Sequence, residues 1–313
     1  MGELDSITKQ YMSNNVIFAD VFNFRLYDGR PVIRPEDLRD MDATELEIPY
    51  RSTEKVAIQK QRDLLKRLTI KTDGKVNYIL LGIENQTELH YAMPVRNMLY
   101  DALQYSSQIS QKEREHRKER DAHGAEFLSG FTKEDKLIPV ITMVVYFGAD
   151  EWTAPRSLRE MYTETDETLA EFLLDYKICL IEPYAIREED LPKFRSLFQY
   201  VAQSLKYADD KVRLRNLWET NPIYHALEHA TALLLSAVTK CRINTEQKED
   251  VNMCKAIQEM LDDSRQEGRQ EGIEQVAQNM LACGVPMETV TQYTGLNAEQ
   301  LLALAHGKDV AEE

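Results

Sequence analysis

The segment that decides the fold runs from Asp63 to Gln86 and reads DLLKRLTIKTDGKVNYILLGIENQ. Its two ends, residues 63–70 and 76–86, are rich in apolar side chains, and the turn-like sequence KTDGK lies between them. An Asp-Gly pair flanked by apolar runs is the strongest short-range signal for a β-hairpin. The sequence therefore predicts two antiparallel strands joined by a tight turn at Asp73-Gly74.

The register of this hairpin brings acidic side chains together. An even number of loop residues pairs Thr72 with Lys75 and places Asp63 opposite Glu84. Side chains alternate between the faces of a strand, so Gln86 lies on the same face as Glu84. Two directly opposed carboxylates have Cβ atoms about 5 Å apart and repel each other. A divalent cation would compensate this repulsion, which predicts a metal site at this end of the hairpin.

Outside the hairpin, the pattern alternates between helices and strands. Residues 14–24 (NNVIFADVFNF) predict an amphipathic helix capped by Ser13, and residues 91–110 predict a helix after the hairpin. Residues 137–147 (LIPVITMVVYF) are nearly all apolar, as in a strand buried on both faces, and residues 178–182 predict one more strand. The long connection between the hairpin and the 137–147 strand predicts that the two strands pair in parallel.

The C-terminal part of the chain is mainly helical. The sequence predicts a first domain of residues 1–220 and a helical region of residues 221–313. Three short helices are expected at its end, with Gly284 and Gly295 in the turns and Asn297 as a cap. A helix–turn–helix unit can read DNA, but this segment carries almost no Lys or Arg. Protein contact, either self-association through these helices or restraint of the first domain, is therefore the favoured role.

Composition narrows the class of protein. Of the 313 residues, 43% are hydrophobic and 29% are charged, and no apolar run is long enough to span a membrane. The N-terminal sequence lacks the apolar stretch of a secretory signal, and the cysteines lack CxxC spacing, so we expect a cytoplasmic protein with reduced thiols. The net charge of −15 disfavours nucleic-acid binding, although a basic stripe or bound cations can reverse the sign of a cleft.

Several segments, in order along the chain, resemble the recombination-promoting nuclease (Rpn) family of transposase-like bacterial proteins, within the PD-(D/E)xK nuclease superfamily. They are FADVFNF near residue 20, IENQT at 83–87 followed by RNMLY, PVITMVVYFG at 139–148 with Trp152, IEPYAI at 181–186, and the YTGL sequence of the C-terminal helices. The resemblance implies an α/β fold with a restriction-endonuclease-like core (αβββαβ, mixed sheet) and a mainly helical C-terminal region. It also implies cleavage of DNA with Mg²⁺ or Mn²⁺, in recombination or mobile elements.

The same resemblance implies an active-site triad of Asp63, Glu84 and Gln86. Gln86 stands where the superfamily pattern has Lys, and glutamine cannot bring a positive charge to the transition state. Its amide can instead hold a water molecule for attack on a phosphodiester. Asp20, in the first predicted helix, matches an acidic position of the family and would bind the metal together with Asp63 and Glu84.

Arg96 and Tyr100 are implied to bind the substrate. They are four residues apart on the helix that follows Gln86, so they share one face of that helix. In the resemblance they match an Arg/Tyr pair on the helix that faces the site. An arginine there could bind a phosphate through two parallel hydrogen bonds.

Two other classes of function stay open from the sequence. One is a catalytically weak, DNA-associated binding or regulatory protein that keeps the fold; the other is a defence nuclease inhibited by its own C-terminal helices. Other active sites have little support, because His225 and His229 lack the HExxH pattern and no P-loop or GxGxxG occurs. The mixed-charge tract at residues 111–120 predicts a solvated helix surface rather than a DNA-binding patch.

Overall fold

The structure is a computed structural model in which the described residues are 3–42, 44–47, 58–61, 63–72, 75–119, 126, 129–148, 150–163, 167–241 and 250–306. The chain forms two compact units, Met1–Val251 and Asn252–Glu313. They divide later in the chain than the boundary expected between residues 220 and 221, because a helix that follows residue 220 packs within the first unit. The turn expected at Asp73-Gly74 lies outside the described residues.

The first unit is built on a mixed β-sheet. Its strands are β1 (Leu38–Asp40), β2 (Thr44–Glu47), β3 (Ile58–Gln61), β4 (Leu64–Thr72), β5 (Lys75–Gln86), β6 (Val140–Tyr146) and β7 (Cys179–Ile181). Within the described ranges, five strands form one sheet in the order β1-β4-β5-β6-β7, and β2 pairs with β3 separately. The first two pairings in the large sheet are antiparallel, and the last two are parallel. The expected α/β class with a mixed sheet is confirmed.

The predicted register of the hairpin is also confirmed. Thr72 pairs with Lys75, and the same offset continues to Leu64, which pairs with Ile83. The expected parallel pairing of β5 with β6 is present as well. A shift by one residue would turn every buried side chain of the hairpin to the opposite face, so the two buried faces hold this register in place.

Helices flank the sheet in the first unit and form the second unit. They are α1 (Glu3–Ser13), α2 (Asn15–Tyr27), α3 (Met93–Glu119), α4 (Glu167–Ala170), α5 (Phe198–Lys206), α6 (Lys211–Thr220), α7 (His229–Thr239), α8 (Met253–Ala282), α9 (Met287–Thr294) and α10 (Ala298–His306). The prediction that Ser13 caps the helix over residues 14–24 is wrong. Ser13 ends α1, where its hydroxyl donates to the Gln10 carbonyl, and Asn14 caps α2 by accepting a hydrogen bond from the Val16 N–H.

The two faces of the sheet are covered by different helices. Leu65 and Leu80 form a buried cluster with Tyr105 of α3 on one face. Lys66 follows Leu65 and therefore points to the other face, where its ammonium donates to the Ser13 carbonyl and lies 5.3 Å from the centre of the Phe18 ring. The junction of α1 and α2 thus covers one face while α3 covers the other, and the end of β5 lies between them.

The second unit has a small core of its own. Its buried side chains are Ala277, Val290, Leu296 and Leu301. Gly284 and Gly295 adopt positive φ angles of 77° and 73° in the turns, and Asn297 caps α10, so these three predictions are confirmed. The expectation of three short helices is wrong for the first of them, because α8 spans 30 residues and only α9 and α10 are short. None of the described helices combines the length and apolarity that a membrane crossing requires.

Asn23 supplies a test of the first unit's packing. This side chain of α2 is buried, donates to the Ile33 carbonyl and accepts hydrogen bonds from the Val32 and Ile33 N–H groups. Asn23→Ala would leave these groups without partners, so we expect the free energy of unfolding to fall by roughly 2–4 kcal/mol in urea denaturation. The exposed Gln111→Ala is the control, with an expected change within about 0.5 kcal/mol. Equal effects of both substitutions would contradict this reading.

Candidate active site

Asp63 and Glu84 meet just beyond the paired part of the hairpin. The Asp63 N–H points to Glu84 Oε1 at 3.3 Å, and Asp63 Oδ2 accepts a hydrogen bond of 2.8 Å from the Asn85 N–H. Each acidic residue therefore contacts the strand that carries the other. These contacts extend the register of β4 and β5 by one position and hold both carboxylates at the end of β5.

Glu84 is completely buried and is balanced by an arginine from α3. Arg96 Nη2 lies 3.0 Å from Glu84 Oε2, and Arg96 Nε donates to the Tyr100 hydroxyl at 3.1 Å. The shared helix face expected for Arg96 and Tyr100 is therefore present. The Arg96 guanidinium ties the first turn of α3 to the end of β5.

The environment shifts the pKa values of these groups. Burial raises the pKa of Asp63, while the hydrogen bond from the Asn85 N–H and the charges of Lys9 and Arg96 act in the opposite direction. Burial lowers the pKa of Arg96, but the Glu84 carboxylate, the Tyr100 hydroxyl and the Asp63 carboxylate together outweigh this effect, so the pKa lies above its usual value. The guanidinium therefore remains charged beside the buried carboxylate.

Gln86 follows Glu84 on the same face of β5. Its side chain is half-buried, and its Nε2 donates to the Asn85 carbonyl at 2.9 Å. This bond fixes which way the amide faces. The carboxamide oxygen is not used by this bond and is an acceptor for a hydrogen bond from a water molecule.

These residues adjoin a pocket of about 580 Å³ at the end of β5. Its wall is formed by α1, β5 and the start of α3, and its lining residues are Asp5, Thr8, Lys9, Asp63, Asn85, Gln86, Thr87, Glu88, Leu89, His90 and Arg96. The pKa of His90 is lowered by burial and then by the charge of Arg96, which favours the neutral ring. Glu84 and Tyr100 lie behind this wall and contact it through Arg96.

Sequence reasoning missed the contribution of α1 to this pocket. The first helix was expected to begin at residue 14, so residues 5–9 had no assigned structure. Asp5 and Lys9 are four residues apart, a spacing that places both on one helix face. That spacing was a usable signal for a polar helix face, but it gave no indication of what the face would contact.

Asp20 lies elsewhere. Its carboxylate is buried on α2 and accepts hydrogen bonds from the Arg195 N–H and from the N–H and hydroxyl of Ser196. It does not line the pocket with Asp63 and Gln86. Asp20 thus anchors the segment before α5 to α2, and both of its carboxylate oxygens accept hydrogen bonds from that segment.

The donor set at the pocket suits a hard divalent cation. The described residues contain no group of three or more His, Cys, Asp or Glu side chains arranged to hold a metal. Asp63 and Gln86 line the pocket, and the buried Glu84, whose Oε1 accepts a hydrogen bond from the Asp63 N–H, lies directly behind its wall. Mg²⁺ usually takes one or two protein carboxylates and completes its shell with water and substrate oxygens. Two carboxylates beside an open pocket fit that requirement.

Comparison with protein-family models gives two matches. Residues 41–230 match the family described as "Putative transposase, YhgA-like", and residues 270–306 match "Rpn/YhgA-like nuclease family, C-terminal HTH domain". The first match covers more than half of the chain and includes Asp63, Glu84 and Gln86. The resemblance to the Rpn family is confirmed. Neither the curated proteins nor the solved structures yield a match.

The Glu84–Arg96 ion pair can be tested through stability. Arg96→Met leaves a buried carboxylate without its cation, so we expect the free energy of unfolding to fall by about 2 kcal/mol. This is less than for a fully buried pair because the Arg96 side chain is 36% exposed. Adding Glu84→Gln should recover part of the loss. Arg213→Met, at an exposed pair with Asp210, is the control; additive single and double mutants would rule out the coupling.

Proposed function

The chain belongs to the Rpn/YhgA-like family, and on that premise we propose that it is a metal-dependent endonuclease that hydrolyses phosphodiester bonds in DNA. The observation that carries this proposal is the placement of Asp63 and the buried Glu84 against each other at the end of β5, beside an open pocket. A polar pocket with two adjoining carboxylates is suited to a cation and an anionic substrate. Phosphoryl transfer depends mainly on such positioning and charge stabilisation.

The order of elements supports a PD-(D/E)xK core. With the separate β2–β3 pair set aside, α2 is followed along the chain by the antiparallel strands β1, β4 and β5, then by α3, and then by β6, which is parallel to β5. This is the αβββαβ order with a mixed sheet. Asp63 precedes the second of these strands, and Glu84 and Gln86 end the third. In a PD-(D/E)xK core, acidic residues at these positions would bind the metal, which supports the proposal.

The side chains would divide the work between them. Asp63 and Glu84 would hold Mg²⁺ or Mn²⁺, which when bound lowers the pKa of a water molecule and neutralises charge on the phosphate. The Gln86 amide oxygen would accept a hydrogen bond from the attacking water and orient it. Arg96 holds the Glu84 carboxylate in place, and its guanidinium has further N–H groups that can donate to a phosphate oxygen.

A binding or regulatory protein without efficient turnover is the second candidate. Gln86 cannot supply a positive charge, and Arg96 is already engaged with Glu84. The net charge of −15 also opposes binding of a polyanion outside the pocket. These features favour slow hydrolysis or binding alone, and measured turnover decides between the two candidates.

Plasmid nicking tests the nuclease. With Mg²⁺, wild-type protein should convert supercoiled plasmid to open circles, and EDTA should stop the reaction. Asp63→Asn and Glu84→Gln each remove a carboxylate ligand, so we expect their nicking rates to fall by roughly 100-fold or more. Glu219→Gln changes an exposed acid on α6 and should keep the wild-type rate. Equal rates for wild type and both site variants would refute the assignment.

The C-terminal unit should contribute little to DNA affinity. Residues 270–306 match an HTH domain, yet they contain no Lys or Arg and four Glu. Such a surface lacks the cations that supply most affinity for phosphates. Tyr293 is 75% exposed and Leu302 is 45% exposed, which suits contact with protein, including a second copy of the chain.

Substitutions on the full chain test this expectation. Tyr293→Ala and Leu302→Ala should leave the dissociation constant for a DNA duplex within about twofold of the wild-type value in a gel-shift titration. The reason is that we expect neither side chain to contact a DNA phosphate. The same variants should weaken any self-association seen by sedimentation. A tenfold loss of DNA affinity in either variant would instead make these helices DNA-reading elements.

A further inference from the structure

The pocket has a cation that the proposed chemistry has not yet used. Lys9 projects from α1 into the wall that Asp63 and Gln86 also line. Among the described residues its ammonium group forms no ion pair, whereas the Arg96 guanidinium lies 3.0 Å from Glu84. The two cations of the pocket wall therefore differ, since one is tied to a buried acid and the other is available to a ligand.

Lys9 is electrostatically coupled to the acidic end of the hairpin. Lys9 and Asp63 line the same pocket, and the positive charges of Lys9 and Arg96 both act on the Asp63 carboxylate. The coupling spans the edge of the sheet, because Lys9 comes from α1 on one face and Arg96 from α3 on the other. A phosphate next to Asp63 would therefore lie between a cation from each face.

Asn85 adds a second, independent observation on the same wall. The residue is 8% exposed, and neither its Oδ1 nor its Nδ2 has a hydrogen-bond partner in the part of the chain that the structure describes. Leaving a buried amide unpaired costs about 1–3 kcal/mol. A polar ligand in the pocket would remove that cost, since Asn85 lines the pocket beside Lys9.

We propose that Lys9 and Asn85 form a phosphodiester-binding subsite. In it, the Lys9 ammonium pairs with the DNA phosphate that lies beside Asp63, and the Asn85 side-chain amide donates a hydrogen bond to the same DNA backbone. This proposal rests on the proposed nuclease function. Lys9 brings from α1 the positive charge that Gln86 cannot bring from β5. An ammonium at that place stabilises the extra negative charge that develops on the phosphate oxygens during hydrolysis.

The experiment compares full-length variants of matched chemistry. Lys9→Met removes the positive charge but keeps a side chain of similar length, and Lys9→Arg keeps the positive charge. Lys177→Met is the control, since Lys177 is an exposed lysine outside the pocket. Two quantities are measured: the rate of Mg²⁺-dependent plasmid nicking, and the salt dependence of the affinity for a short DNA duplex in Ca²⁺.

Loss of one phosphate contact has a defined signature. Lys9→Met should reduce the slope of log affinity against log salt concentration by about 1, and Lys177→Met should leave the slope unchanged. The nicking rate should fall by roughly 30- to 1,000-fold in Lys9→Met and recover to within about tenfold of wild type in Lys9→Arg. A purely structural role for Lys9 would lower the melting temperature without changing the salt slope.

The role of Asn85 is tested by comparing Asn85→Ala with the control variant Asn97→Ala. Asn85→Ala should weaken duplex binding about five- to tenfold, because it removes one hydrogen bond to the substrate. Asn97→Ala removes another fully buried amide, whose atoms also have no partner among the described residues, but Asn97 does not line the pocket. That variant should bind the duplex as wild type does. Equal binding losses in both would assign the effect to packing and overturn the role of Asn85.

The outcomes separate this subsite from the nuclease assignment. If Asp63→Asn abolishes nicking while Lys9→Met keeps the wild-type rate and salt slope, the subsite is wrong and the nuclease stands. If Lys9→Arg is as slow as Lys9→Met, the charge is not what Lys9 contributes, and the proposal also fails. If wild-type protein neither binds the duplex nor nicks plasmid, both proposals fall together.

Discussion

The burial of the Glu84 carboxylate at the end of β5 is the constraint on which the site depends. A carboxylate without solvent is costly unless charge and hydrogen bonds compensate it. Here the compensation comes from the Asp63 N–H on the neighbouring strand and from Arg96 on the following helix. Two separate elements are therefore held at the end of β5 by one acidic side chain.

The sheet topology places this constraint where a substrate can reach it. In the paired region β5 runs between an antiparallel neighbour, β4, and a parallel neighbour, β6, so its backbone is satisfied on both sides up to its last residues. Beyond that point the chain turns into α3, and the end of the strand opens on the pocket. A rigid strand thus presents Glu84 and Gln86, while helices from both faces supply the surrounding polar groups.

The negative and positive charges of the site come from different secondary-structure elements. The acidic residues belong to the hairpin, and the cations Lys9 and Arg96 belong to helices on opposite faces of the sheet. The Arg96 guanidinium pairs with the buried Glu84 carboxylate and fixes its position. The Lys9 ammonium forms no ion pair among the described residues. Lys9 on α1 can therefore supply positive charge to a bound phosphate.

The sequence by itself determined the hairpin, its register and the meeting of Asp63 with Glu84, because strand alternation and loop length are local rules that reach only across neighbouring strands. It also determined the parallel pairing of β5 with β6 and the family. The tertiary structure alone decided that Lys9 lines the pocket and that Asp20 binds the segment at Ser196 instead. Both outcomes depend on how the helices pack on the sheet. Such packing brings together residues that are far apart in the sequence, and no local periodicity in the sequence indicates these contacts.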